Sequence, residues 1–152
     1  KRLADIMRGL RRHCRDGEAA QIIALLRSVP GIGPKAAFTL YTELQDITRF
    51  RNLDKLYCYI GLVPSTDTTG DNPRTTGLTN RQHRLLRMVL VESAWTAIKH
   101  DPVLFSDFSQ LARRMKKQAA IIRIARKVVA RVSHVWRTRT PYRTLEPTSQ
   151  AA

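Results

Sequence analysis

Residues 26–37 read Leu26-Arg27-Ser28-Val29-Pro30-Gly31-Ile32-Gly33-Pro34-Lys35-Ala36-Ala37. An apolar helix runs into Val-Pro-Gly, and a second helix starts at Pro34, a residue suited to a first helical turn. Between them Gly31 and Gly33 allow a tight turn and close backbone approach, and Ile32 is placed to bury between the helices. This is a helix–hairpin–helix pattern. The amides that open the second helix point outward, the helix dipole favours an anion there, and Lys35 adds a point charge. Such a unit holds a backbone phosphate without reading bases. Gly31, Ile32, Gly33 and Lys35 are therefore candidate DNA-contacting residues. An ordinary turn that contacts nothing is the competing interpretation.

Working outward, most of the chain carries helical periodicity. Gln21 to Ser28 forms the first helix of the pair, with Ile22, Ile23, Leu25 and Leu26 apolar, and the second runs from Pro34 to about Leu44. Asn52 is a natural cap for a short helix from Leu53 to Ile60, which ends at Gly61. Residues 62–78 are different in kind: turn formers and threonines dominate, which predicts a long loop with a short β-hairpin around Thr69-Gly70-Asp71-Asn72. A loop of that length in a compact domain tends to be functional. Thr79 and Gln82 then form a capping box. The helix they open has Leu85, Leu86, Val89, Leu90, Ala94, Ala97 and Ile98 on its apolar face and Arg81, Arg84 and Arg87 on another. Asp101-Pro102 starts a further helix to about Arg114. From Ala119 to Trp136 an apolar stripe of Ile121, Ile122, Ala125, Val128, Val129, Val132 and Trp136 opposes Arg123, Arg126, Lys127 and Arg131.

The expected fold is all-α, with the helix–hairpin–helix pair and one long irregular or β-hairpin loop. Residues 1–20 read as a helical lead-in from an upstream domain, 21–140 as the domain itself, and 141–152 as a flexible tail. The opening Lys1, in place of a methionine, fits a piece of a longer protein. Trp95, Trp136, Phe105 and Phe108 are expected in the core.

Charge narrows the function. Of 152 residues, 27 are Lys or Arg and 12 are Asp or Glu, a formal net charge of +15. Residues 101–152 hold eleven of the basic and three of the acidic side chains, whereas residues 21–70 are nearly balanced with five and four. A polyanion partner is the natural inference, nucleic acid first, bound through phosphate neutralisation that weakens steeply with salt; a solvated basic surface and an acidic membrane face are the competing interpretations. The run Arg113, Arg114, Lys116, Lys117, Arg123, Arg126, Lys127 and Arg131 would track an RNA or DNA backbone. No apolar stretch is long enough for a membrane span, and no signal peptide opens the chain. Cys14 and Cys58 lack metal or disulfide spacing, and His13, His83, His100 and His134 lack ligand spacing. No metal or other cofactor is expected in this chain.

Several motifs stand in a recognisable order. The glycine turn is followed by Tyr59-Ile60-Gly61-Leu62-Val63-Pro64, a hydroxyl-rich loop reaching Gly70, and Leu78-Thr79-Asn80-Arg81. Leu90-Val91-Glu92-Ser93-Ala94-Trp95 and Ala120-Ile121-Ile122-Arg123-Ile124-Ala125-Arg126-Lys127 come next. Across residues 21–142 this resembles the C-terminal transposase domain of the insertion sequence 110 / 116 / 902 family.

The resemblance implies a DNA recombinase, guided by a structured bridge RNA and built as a homo-oligomer in the bacterial cytoplasm at the nucleoid. A RuvC-like N-terminal domain of the same protein would hold magnesium on acidic residues. The C-terminal domain would supply a serine, just before the loop glycine, that joins covalently to a duplex DNA strand. Here the matching residue is Thr69, before Gly70, and the substitution adds a methyl group that crowds in-line attack. Thr68 and Ser65 are the fallback nucleophiles. Gly70, Arg81, Arg84 and Arg87 would line the scissile phosphate. The isolated chain is expected to be inactive. A non-catalytic helix–hairpin–helix module from a decayed or domesticated transposase is the alternative.

Overall fold

The computed structural model describes residues 9, 12, 16–67, 74–78 and 83–143, with only the backbone for 64–67 and 74–78. Six α-helices appear among the described residues: α1 (Gly17–Arg27), α2 (Pro34–Leu44), α3 (Leu53–Ile60), α4 (Arg84–His100), α5 (Pro102–Ala112) and α6 (Lys117–Thr138). A 3-10 turn, Ile47–Arg49, precedes α3, and an antiparallel pair, β1 (Pro64–Asp67) and β2 (Arg74–Leu78), separates α3 from α4. The expected all-α fold with one β-hairpin loop is what forms. Of the helical lead-in expected over residues 1–20, residues 17–20 instead open α1, and residues 1–15 lie outside the described residues apart from Gly9 and Arg12.

The longest helix organises the rest. α6 has 22 residues, about 33 Å of axis, and its apolar stripe includes Ile121, Ile124, Val128, Val132, Val135 and Trp136, all buried. α4 packs along it, α5 closes over both, and the α1–α2 pair covers the remaining flank. Ile124 and Val135 were not in the expected stripe, but they lie within the same arc of the helix. Ile122, which was, is only half-buried.

Local chemistry sets the boundaries. Asn52 caps α3 by accepting the Lys55 N–H at 3.0 Å, and Gly61 ends it at φ +84°. The Thr79–Gln82 capping box lies outside the described residues. The cap observed on α4 is His83, whose Nδ1 accepts the Leu86 N–H at 3.3 Å, so the described helix opens at Arg84. Along α4 the buried stripe is Leu86, Leu90, Ser93, Ala94 and Ala97, while Leu85 is 42% exposed, contrary to expectation. Leu85 sits on the outer edge of the arc that meets α6. Trp95 and Phe105 also depart from the expected core: they are 36% and 58% exposed. Trp95 meets Phe108 edge-on at 5.5 Å on the outer side of the α4–α5 pair, where helical spacing alone cannot tell a core stripe from a surface one.

Asp101 ties three elements together. Its side chain caps α5 by accepting from Val103 and Leu104, and its other oxygen takes Arg131 of α6 at 2.6 Å. The carboxylate is fully buried. Arg131 in turn lies 4.7 Å from the Tyr142 ring, and the Tyr142 N–H donates to the Ser28 hydroxyl at 2.8 Å. The segment after α6 is non-helical, yet Tyr142 packs against the core. Burial works to raise the Asp101 pKa. The Leu104 and Val103 amides and the Arg131 guanidinium outweigh it, and the net direction is downward. The ionised form is thus favoured by the fold, so its stabilisation is complete above the ordinary value of 3.8 and is lost as pH falls through the lower folded value. Asp101→Asn is expected to cost about 3 kcal/mol at neutral pH, because it leaves the half-buried Arg131 without its ion-pair partner. Denaturant titrations of both proteins should show the gap narrowing below the carboxylate range; a gap constant with pH would contradict it.

Candidate functional site

The turn between α1 and α2 is built from main-chain bonds: Val29 N–H to Leu26 C=O at 3.1 Å, and Ile32 N–H to Val29 C=O at 3.0 Å. Ile32 is buried, 4% exposed, as expected. Gly31, at φ +89°, faces inward. A Cβ there would lie 2.2 Å from the Ser93 carbonyl oxygen and 2.7 Å from the Ala97 Cβ. Its requirement for glycine is therefore met by packing on α4. Gly33 differs: it is the N-cap of α2, and a Cβ would meet nothing within 4 Å. No side chain caps this N-terminus, so the Lys35 and Ala36 amides are open to an external acceptor. Lys35 is exposed. A groove of ≈ 1110 Å³ runs past them, lined by Gly31, Gly33, Lys35, Phe38, Met88 and Glu92 among others.

At the opposite end of α2 the chain gathers a second cluster. Glu43 accepts from His83 Nε2 at 2.8 Å. Because Nδ1 of the same ring accepts the Leu86 N–H, the proton of the neutral ring sits on Nε2 and both nitrogens are engaged. His83 thus has no lone pair for a base role. The His83 N–H donates to the Tyr59 carbonyl at 3.2 Å, and the two rings lie 5.7 Å apart. This joins the start and end of the segment that carries β1, β2 and the residues between them. The hydroxyl-rich loop therefore leaves and re-enters the helical body at one closed throat. Composition offered a capping signal at Thr79, but nothing in the sequence marked Tyr59, Glu43 and His83 as neighbours.

Thr68, Thr69, Gly70 and Arg81 lie outside the described residues, and Ser65 is placed only as a β1 residue. Arg84 is exposed and Arg87 half-buried in the first turn of α4, at the throat's exit. Cations in a first helical turn oppose the helix dipole and so cost stability, and they concentrate positive potential there. The other basic residues divide into two sets. Arg131 is held by Asp101, Lys127 pairs with Asp107, and Arg126 lies 4.5 Å from the Tyr57 ring. Arg113, Arg114, Lys116, Lys117 and Arg123 are exposed, with no ion pair among the described residues. Arg137, which the sequence did not single out, donates to the Ile47 and Phe50 carbonyls and holds the 3-10 turn in place.

Among the described residues no cluster of His, Cys, Asp and Glu could hold a metal, and no helix is long and apolar enough to cross a membrane. Gly33→Val should leave the protein folded, since its Cβ enters open space and a poorer N-cap costs only about 1 kcal/mol, yet weaken duplex DNA binding by crowding the α2 amides. Gly31→Ala should cost roughly 2–5 kcal/mol from strain and overlap with α4. Thermal unfolding and a DNA titration of the two variants check this. A folded Gly33→Val protein that binds as wild type would mean the turn is only structural.

Comparison with known proteins bears on the same segments. The family described as Transposase IS116/IS110/IS902 matches residues 23–110, a run from the second half of α1 through most of α5. The y4qE protein of Sinorhizobium fredii is 38% identical over 77 residues, covering 51% of this chain and 20% of that protein. The transposase for insertion sequence element IS1111A of Coxiella burnetii is 31% identical over 75 residues, covering 49% and 21%. A 43.6 kDa protein of insertion element IS110 in Streptomyces coelicolor is 28% identical over 131 residues, covering 86% and 32%. The chain thus spans about a fifth to a third of these relatives.

Proposed function

The chain belongs to the IS116/IS110/IS902 transposase family, and from that premise we propose that it is the domain that grips nucleic acid and presents the hydroxyl nucleophile for strand cleavage and rejoining. The observation that carries this reading is the closed throat at Tyr59 and His83. A hydroxyl-rich loop rooted at one fixed point, beside a helix that opens with two arginines, suits a reaction needing a positioned nucleophile and stabilised phosphate charge.

In this reading the Thr69 hydroxyl gives up its proton to solvent and attacks a DNA phosphorus, forming a protein–DNA phosphodiester as the bond to one deoxyribose oxygen breaks and that oxygen leaves as a protonated hydroxyl; attack by a strand hydroxyl on the same phosphorus releases Thr69 and rejoins the strand. Arg84 and Arg87, with Arg81, stabilise the charge on the pentavalent phosphate. His83 does not take the Thr69 proton, since both ring nitrogens are committed. The open amides of α2, with Gly33, Lys35 and the turn, hold a second backbone phosphate, about 16 Å along the helix from the throat. Arg113, Arg114, Lys116, Lys117 and Arg123 provide the track for a structured guide RNA. Phosphoryl transfer of this kind uses magnesium. Among the described residues no group of His, Cys, Asp and Glu gathers to hold such an ion, and a RuvC-like domain of the same protein is proposed to hold it. The working form is a homo-oligomer on duplex DNA in the bacterial cytoplasm.

The test is a denaturing gel for the covalent adduct, using the full-length protein with its RNA. Thr69→Ala should abolish the adduct and leave binding intact, and Thr69→Ser should keep or raise its rate. Thr68→Ala and Ser65→Ala should retain it. An adduct that survives Thr69→Ala and vanishes in Ser65→Ala moves the nucleophile to β1. A wild type that forms none until Thr69→Ser identifies a decayed transposase whose domain only binds.

A further inference from the structure

Arg49 is absent from every basic stripe the sequence displays, yet it has the most prepared guanidinium at the throat. It ends the 3-10 turn and is exposed, while its guanidinium carbon lies 4.8 Å from the Phe50 ring centroid and 4.8 Å from that of Tyr59. Those rings meet each other at 5.2 Å and are inclined by 56°, so they form an angled shelf against the guanidinium. Tyr59 is the residue whose carbonyl receives the His83 N–H, which places the shelf at the point where the hydroxyl-rich loop is rooted. The turn beneath is braced by Arg137, which donates to the Ile47 and Phe50 carbonyls. Asp46, three residues earlier, makes no ion pair with Arg49 among the described residues. Its carboxylate is taken by the Thr48 hydroxyl and N–H at 2.7–2.8 Å, and it feels Arg49 only through space.

We infer that Arg49 is a phosphate-binding residue of the loop throat, its guanidinium held on the Phe50–Tyr59 shelf so that its edge meets a nucleic-acid backbone. The two ring contacts confine the group, and its N–H fork can then make two parallel bonds to phosphate oxygens. A side chain already immobilised loses little further freedom on binding. The ligand is a phosphodiester, supplied by duplex DNA or by a structured RNA. The inference rests on the nucleic-acid reading above and adds a contact that none of its other residues supplies.

The experiment titrates the protein with a fluorescent random-sequence DNA duplex and, separately, with a stable RNA hairpin, over a series of salt concentrations. Variants are Arg49→Gln, Arg49→Lys and, as a control for bulk charge, Lys99→Gln at the far end of α4. With about six phosphates neutralised, the wild-type log–log slope should be about −5. Arg49→Gln should weaken binding roughly tenfold at low salt and reduce the slope by about one. Arg49→Lys should keep the slope and lose about threefold, because an ammonium cannot stack or bind as a fork. A loss on one probe alone names the source of the phosphate. If both Arg49 variants bind as tightly as Lys99→Gln on both probes, the inference is overturned while the wider reading stands. A wild type with no salt-dependent binding to either probe overturns both.

Discussion

A side chain at position 31 would place its first carbon 2.2 Å from a main-chain oxygen of α4, so the α1–α2 turn can lie on that helix only as bare backbone. Much follows from that approach. With the turn seated at Ser93 and Ala97, α2 runs antiparallel along α4, and its far end brings Glu43 to His83. That contact orients the imidazole that caps α4 and closes the loop on Tyr59. One glycine thus sets the distance on which the second cluster depends, although no atom of Gly31 reaches it. The N-terminus of α2 is left at the surface by the same seating.

The strong positive charge is used in two different ways. Arg131 and Arg137 brace the fold, the first against the buried Asp101 and the second against carbonyls of the 3-10 turn. Their guanidiniums satisfy internal acceptors that would otherwise be stranded. Arg84, Arg113, Arg114, Lys116, Lys117 and Arg123 are exposed, and their crowding raises the electrostatic self-energy of the chain without a compensating contact among the described residues. Charge kept at that cost, and concentrated partly where a helix dipole already repels it, accords with a polyanion partner.

Local signals were the legible part of the sequence. Pro34 and Asn52 mark helix starts that the structure reproduces, and the threonine-rich run marks the hairpin between α3 and α4. The α6 stripe announced the central helix. What the sequence could not show depends on contacts between distant residues. Arg131 reads as one more cation on a basic face until Asp101, thirty positions earlier, is seen to be buried against it. Trp95 repeats at core spacing but falls on the outer side of α4. Arg49 lies in a charge-balanced segment outside the basic stripes, and only the folding of Phe50 and Tyr59 against it gives it a fixed place. His83 looked like an isolated imidazole because its partners come from α2 and α3.

The central claim is that nucleic acid meets this domain at the start of α2 and at the loop throat. Amide hydrogen exchange of the protein, alone and saturated with duplex DNA, tests it most directly. The account predicts slowed exchange at residues 35 and 36 and from 74 to 87, with the interior of α6 unchanged. Protection confined to α1 and α5, or no protection at either predicted segment while DNA is bound, would contradict it.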